Sequence, residues 1–214
     1  MNPNTITVLL VDDHELVRTG IEHLLGSDPD IEVLAVATSG EAAVELTAQL
    51  NPDVILMDLN MPGIGGIEAI KRILRHKPDS KIIALSVYDD GPIPHQAINL
   101  GAKGYINKGC PVNEMISAIM MVYQGKNYMS SAVATNLIFS GKESEKNAFS
   151  QLSERELQIT TKILDGHKIS DIAGSLSISS KTVNTHRYRV HEKLGVTNDV
   201  ELVKLAINEG FLTN

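Results

Sequence analysis

Two hydrophobic rhythms alternate along the first 125 residues. Short, nearly unbroken runs of Val, Ile and Leu occur at 6–12 (ITVLLVD), 32–37 (EVLAVA), 54–58 (VILMD), 81–87 (KIIALSV) and 104–107 (GYIN). Each is followed by a stretch with apolar residues at helical spacing, at about 14–26, 40–50, 66–76, 94–101 and 111–124. A strand that is apolar on both sides has no solvent face, so it belongs in a parallel sheet with helices on both faces. Five strand–helix repeats predict an α/β doubly wound five-stranded parallel sheet.

The rhythm changes after Gly125. SSAVATNLIF is apolar enough for a short helix, but GKESEKNAFSQ has no apolar period, so 126–149 reads as a linker with a short helix. From Leu152 the spacing is helical to the end, punctuated at Gly166, Ser177–Ser179 and Gly195. Four helices fit, at about 154–165, 169–176, 180–193 and 199–209. The expected organisation is one domain over 1–125, the linker, and a small all-α four-helix domain over 150–214.

Charge sharpens that division. Residues 1–125 carry eight Lys and Arg against sixteen Asp and Glu, whereas residues 150–214 carry eight of each. An acidic first domain is a poor partner for a polyanion, so any nucleic-acid contact falls to the C-terminal third. No apolar run approaches the ~20 residues of a membrane-spanning helix. MNPNTITVLLVDD lacks the basic start and long apolar core of a secretory signal. The single cysteine, Cys110, excludes an intrachain disulfide and a cysteine-rich zinc site. A cytoplasmic protein with no membrane partner is expected, with Cys110 serving packing rather than redox sensing.

The candidate chemistry sits where strands stop. Asp12 and Asp13 end the first strand, Asp58 the third and Ser86 the fourth, and Lys108 follows the fifth. In a doubly wound sheet the functional crevice lies outside the carboxyl ends of the strands, so these groups should converge. Crowded carboxylates repel unless a cation joins them, and hard oxygen ligands suit Mg²⁺. Acid, metal, hydroxyl and ammonium together describe phosphoryl transfer to a carboxylate nucleophile. Any one of these residues alone reads more readily as a helix cap or a turn residue; it is the ordered set of strand ends that points to chemistry.

VDDHELVRTG, DVILMDLNMPGIGG, ALS and GAKGYINK resemble the receiver domain of response regulators, over roughly residues 5–125. The resemblance implies that Asp58 is the phosphoacceptor. It implies that Asp13, Asp58 and the backbone carbonyl of Asn60 ligate Mg²⁺, with Asp12 acting through water. Ser86 would be the switch hydroxyl, Lys108 would bind the phosphoryl oxygens, and Tyr105 would be the aromatic that changes rotamer. Gly109 departs from the proline that many receivers carry after the lysine. Two enzyme readings fail on the same residues. A haloacid-dehalogenase-type phosphatase needs a second Asp where Asn60 stands, and a nucleotide-triphosphate site needs a GK[ST] P-loop, which the chain lacks. An interaction protein that works without phosphorylation would have no use for the full acidic set, Ser86 and Lys108.

In DIAGSLSISSKTVNTHRYRVHEKLGV a short helix meets a polar turn and then a longer basic helix. Ala173 is small where the helices should cross, and Ile172, Leu176, Ile178 and Val183 are expected core contacts. The second helix carries Lys181, Arg187, Arg189 and Lys193, with Asn184, Thr185 and Tyr188 interleaved. Basic side chains neutralise phosphates while Asn and Thr read base edges. A merely solvated basic face is the alternative. LSERELQI, KTVNTHRYRVHEKLGV and DVELVKLAI resemble the LuxR-type DNA-binding domain, over about 150–212, although GHKISDIA departs from the family's usual Ser-Asn-Lys-Glu-Ile-Ala. By that resemblance Asn184, Thr185 and Tyr188 face bases, and Lys181, Thr182, Arg187 and Arg189 bind phosphates.

A receiver joined to this domain is the NarL/FixJ arrangement of response regulators. MPGIGGIEA and TVNTHRYRVHEKL further resemble its GacA/UvrY/LetA type. That type implies a hybrid sensor histidine kinase of BarA/GacS type as partner, and transcription of small regulatory RNA genes that antagonise a CsrA/RsmA-type repressor. Apolar residues wrap more than one face of helix 199–209, so a homodimer is expected on phosphorylation, reading an inverted repeat in promoter DNA.

Overall fold

A computed structural model describes residues 5–89, 92–140, 148–176, 178–209 and 211. Most of the polar linker stretch (141–147) and Ser177 of the expected turn lie outside the described residues. The chain forms two compact units, the first over 1–89 and 94–135 and the second over 136–214 together with the short segment 90–93.

The first unit follows the alternation read from the sequence. Its strands are β1 (Ile6–Val11), β2 (Ile31–Ala37), β3 (Val54–Asp58), β4 (Ile82–Ser86), β5 (Gly104–Asn107) and β6 (Tyr128–Met129). Its helices are α1 (Glu15–Leu25), α2 (Gly40–Leu50), α3 (Gly65–His76), α4 (Pro92–Leu100) and α5 (Val112–Tyr123), with α6 (Ser131–Ser140) following β6. All strands pair in parallel in the order β2-β1-β3-β4-β5-β6. The sheet has six strands rather than the expected five. β6 is two residues long, too short to show a period, and it places Tyr128 beside Gly104, beyond the expected boundary at Gly125.

Every residue of β3 and β4 is buried, as continuous apolar strands require. Val8, Leu10, Val54, Leu56, Ile83, Leu85 and Ile106 form one core with Ile21 and Leu25 of α1 and Ala118, Ile119 and Val122 of α5. The alternate residues Leu9, Val11, Ile55, Met57, Ile82, Ala84 and Tyr105 are buried on the other face. Because β1 and β3 are neighbours, with Val11 opposite Met57, the residues that follow them emerge side by side. That register brings Asp12 to Asp58.

The second unit holds a 3₁₀ turn (Ala148–Gln151), α7 (Glu154–Leu164), α8 (Ile169–Ser175), α9 (Ser180–Leu194) and α10 (Asp199–Asn208). These agree with the four expected helices to within a residue or two. Phe149, Leu157, Ile159, Ile172, Ala173, Leu176, Val183, Val190, Leu202 and Ala206 make its core, against which Ile178 packs half-buried. The Phe149 and Phe211 rings stack with centroids 4.5 Å apart. Each long helix is closed by side-chain chemistry. Ser153 and Glu156 form a reciprocal capping box on α7, Ser179 Oγ accepts from Thr182 N on α9, and Asn198 Oδ1 accepts from Glu201 N on α10. Gly195 ends α9 at φ 67°, a left-handed cap that suits glycine.

Candidate functional sites

At the carboxyl end of the sheet, Asp12 and Asp58 are fully buried and share one cation. Lys108 Nζ lies 2.7 Å from Asp12 Oδ2 and 2.7 Å from Asp58 Oδ2. The other oxygens are held by backbone: Asn60 N donates to Asp58 Oδ1 at 2.9 Å, and His14 N to Asp12 Oδ1 at 2.8 Å. Lys108 is itself placed by its amide, which donates to Ser86 O at 2.7 Å. Ser86, buried at the end of β4, accepts from Tyr88 N at 3.1 Å. The fully buried Tyr105 donates its hydroxyl to Tyr88 O at 2.7 Å, which ties β5 to the loop after β4. All the strand-end residues singled out in the sequence therefore stand on one rim.

Two carboxylates on one ammonium leave a deficit of positive charge. Burial pushes the Asp58 carboxyl up to about 6, against the opposing pull of Lys108 and the Asn60 amide, with Asp12 adding repulsion. Burial also pulls the Lys108 ammonium down, but Asp58 and Asp12 outweigh it and hold Lys108 above its ordinary value. Asp12 Oδ2 and Asp58 Oδ2 are buried and share Lys108 as their one cation, and Asp13 Oδ1 is buried with the His14 ring 3.0 Å away. Ligand atoms of Asp12, Asp13, His14 and Asp58 lie within 4.8 Å of one another. Under-compensated carboxylate oxygens at this spacing fit a hard divalent cation.

The surrounding loop shows why glycines follow Asp58. A Cβ on Gly66 would sit 2.0 Å from the Asp58 carbonyl oxygen, so only glycine lets α3 start this close to β3. Glu41 of α2 accepts from Ile64 N at 3.0 Å and closes over Gly63. Arg18 Nη1 donates to Asp12 O at 2.9 Å. Neither Glu41 nor Arg18 stood out in the sequence, because both act through tertiary contacts with backbone. Cys110 is half-buried, and burial followed by Glu114 pushes its thiol up, away from the reactive thiolate.

In the second unit, Lys181, Asn184, Thr185, Tyr188, Arg189 and Glu192 line one groove along α9. Tyr188 is 70 % exposed there, too much for a core residue. Thr182 lies in the first turn, its hydroxyl 2.9 Å from Ser179 Oγ. Thr185 Oγ1 donates to Lys181 O at 2.9 Å. His186 is half-buried, and burial followed by Arg155 and Arg189 pulls its pKa below the ordinary value. Two of the expected basic contacts are engaged elsewhere. Arg187 Nε donates to Asp199 Oδ1 at 2.8 Å, and Lys193 Nζ to Glu156 Oε2 at 2.6 Å. Among the described residues, no helix is long and apolar enough to cross a membrane.

Comparison with known proteins agrees with this geometry. Residues 8–120 match the model of the response regulator receiver domain, and residues 150–206 that of bacterial regulatory proteins of the luxR family. The chain is 44 % identical to the response regulator GacA of Pseudomonas aeruginosa over 97 % of this chain and 98 % of that one. It is 47 % identical to the response regulator UvrY of Escherichia coli over 96 % and 95 %. Among solved structures it resembles RcsB from Salmonella enterica serovar Typhimurium bound to a promoter in the presence of the phosphomimetic BeF₃⁻. The TM-score there is 0.66 at 26 % identity, covering 94 % of this chain and 98 % of that one. Buried acid–lysine site, basic helix and near full-length relatives agree: the chain belongs to the response regulators of two-component systems that join a receiver domain to a LuxR-type DNA-binding domain.

Proposed function

We propose that Asp58 accepts a phosphoryl group from a sensor histidine kinase, and that this modification governs binding of α9 to promoter DNA. The observation that carries the reading is the buried pair Asp12–Asp58 on a single lysine. A carboxyl held at about 6 is mostly ionised at neutral pH, so its oxygen is available as a nucleophile. That oxygen forms the new P–O bond as the P–N bond to the kinase phosphohistidine breaks, and the electron pair leaves with the imidazole. Lys108, 2.7 Å away, is placed to exchange its carboxylate contact for the phosphoryl oxygens. Asp13, Asp58 and the Asn60 carbonyl would hold Mg²⁺, with Asp12 acting through water. The metal supplies charge neutralisation on the transferring group. Ser86 and Tyr105 then follow the new charge as hydroxyl donor and rotamer switch.

For the second unit we assign base reading to Asn184, Thr185 and Tyr188, and phosphate contact to Lys181, Thr182 and Arg189. Arg187 and Lys193, held by Asp199 and Glu156, are committed within the domain. Val200 and Ile207 of α10 are 65 % and 42 % exposed, an apolar strip suited to a two-fold dimer on an inverted repeat. The likeness to GacA and UvrY supports a BarA/GacS-type kinase as partner, small regulatory RNA genes as targets and a cytoplasmic place of action. The division 1–125, 126–149 and 150–214 is the one we propose for receiver, linker and DNA-binding domain. The matched spans 8–120 and 150–206 support it.

The test is a footprint on candidate promoters with and without acetyl phosphate and Mg²⁺, alongside intact-mass analysis. One phosphoryl mass should appear, vanish with Asp58→Asn or EDTA, and accompany tighter protection. Undiminished labelling of Asp58→Asn would sink the assignment.

A further inference from the structure

On α9, Arg187 and His191 lie one turn apart and meet the same acceptor. Arg187 Nε donates to Asp199 Oδ1 at 2.8 Å, and His191 Nε2 lies 3.0 Å from that oxygen. The side chains are partly shielded, at 32 % exposure for Arg187, 13 % for His191 and 38 % for Asp199. Asp199 is the first residue of α10, and its neighbourhood is tied down as well. Asn198 Oδ1 caps the helix through Glu201 N, and Glu201 Oε2 accepts from both the amide and the hydroxyl of Thr197. Gly195 makes the turn between the helices in the left-handed region. The recognition helix is therefore clasped to the start of α10 through one carboxylate, across a connection that is itself hydrogen-bonded.

We propose that Asp199 is a positioning residue for DNA recognition: with Arg187 and His191 it fixes the angle at which α9 presents Asn184, Thr185 and Tyr188. This rests on the DNA-binding reading of α9 given above. Binding to phosphate releases counterions in proportion to the free cations engaged. A guanidinium already matched by a carboxylate adds nothing to that count. Arg187, four residues from His191 on the side of α9 next to the buried Val183 and Val190, contributes geometry rather than net charge.

The clasp makes an expectation opposite to simple electrostatics. Asp199→Asn removes a negative charge from a domain that binds a polyanion, so on charge alone it should bind DNA more tightly. If Asp199 sets the pose of α9, the variant loses affinity for the right sequence and keeps it for the wrong ones.

The experiment uses the full chain with acetyl phosphate and Mg²⁺ present throughout. Its probes are a duplex selected from a random pool by the wild-type chain and an unselected duplex of equal length. Asp199→Asn, nearly isosteric, should weaken binding to the selected duplex on the order of fivefold while binding the unselected one undiminished. General unfolding would weaken both. Arg187→Ala should show the same loss of discrimination with a wild-type salt slope, whereas Lys181→Ala should lower the slope by about 0.9. Combining Arg187→Ala with Asp199→Asn should cost no more than either alone. Equal or tighter binding of the selected duplex by Asp199→Asn would overturn the clasp, as would an Arg187→Ala slope reduced like that of Lys181→Ala. Failure of the wild-type chain to select any duplex would instead overturn the DNA-binding reading itself.

Discussion

Asp58 of the first unit and Glu156 of the other are alike in outline. Each is a buried carboxylate with a lysine at ion-pair distance, Lys108 at 2.7 Å and Lys193 at 2.6 Å. Their acidities move in opposite directions. Burial dominates at Asp58 and lifts it to about 6. At Glu156 burial also pushes upward, but Lys193 and the Ser153 hydrogen bonds outweigh it and hold the carboxyl below its ordinary value. The difference lies in how the lysine is shared and how far it is buried. Lys108 serves two carboxylates and is itself largely buried, whereas Glu156 has a half-exposed lysine of its own and a reciprocal capping box. A structural carboxylate has all its charge answered. A reactive one is left short, and the shortfall is what a divalent cation and a phosphoryl group would fill.

The largest way to break the contrast is steric. Gly66→Ala places a Cβ 2.0 Å from the Asp58 carbonyl, against backbone that has no room to yield. A destabilisation of about 3 kcal/mol is expected, read as a drop in melting temperature. A melt unchanged by this substitution would mean that α3 does not pin Asp58.

Next in size is the charge deficit itself. The folded-state value of Asp58 lies above its ordinary 3.8, so the ionised form opposes folding. That cost is absent below pH 3.8, grows as pH rises toward about 6 and is constant above it. Asp58→Asn should therefore stabilise the Mg²⁺-free protein on the order of 2 kcal/mol at neutral pH, with the gain fading as acid is added. Glu156→Gln should do the reverse. Its depressed value makes the ionised form a contributor above the ordinary 4.5, and that contribution is lost as pH falls through the folded-state value. A loss of about 1–2 kcal/mol is expected at neutral pH, converging on wild type in acid. Melting curves of both variants across this pH range measure the two slopes together. Slopes of the same sign would dissolve the distinction.

Much of this was legible in the chain because apolar runs stop where chemistry begins. VILMD ends on Asp58 and KIIALSV nearly on Ser86, so strand ends and reactive groups were found together. What escaped had no period or depended on partners distant in sequence. β6 spans only Tyr128 and Met129, and Glu41 meets Ile64 across 23 residues. Asp199 is an ordinary helix-start residue until Arg187 and His191 reach it. The basic composition of α9 singled out the helix as a whole. It could not separate Lys181 and Arg189, which line the groove, from Arg187 and Lys193, whose partners belong to other helices.

Lys193 provides the finest test of that separation. Its ammonium lies 2.6 Å from Glu156 Oε2 and 3.3 Å from Gln151 O, while Gln151 Nε2 donates to Lys193 O at 2.9 Å, so the end of α9 is tied to the start of α7. The lysine side chain is 39 % exposed, so solvent already screens the pair. Glu156 would keep its Ser153 hydrogen bonds without it. Lys193→Met, which preserves the apolar stem, should thus cost under about 1 kcal/mol in stability. The sharper readout is DNA binding as a function of salt. A lysine spent on Glu156 releases no counterion, so Lys193→Met should keep the wild-type slope where Lys181→Met loses about 0.9. Equal losses from the two would place Lys193 on the phosphate backbone and make Glu156 the under-compensated partner, which would erase its difference from Asp58.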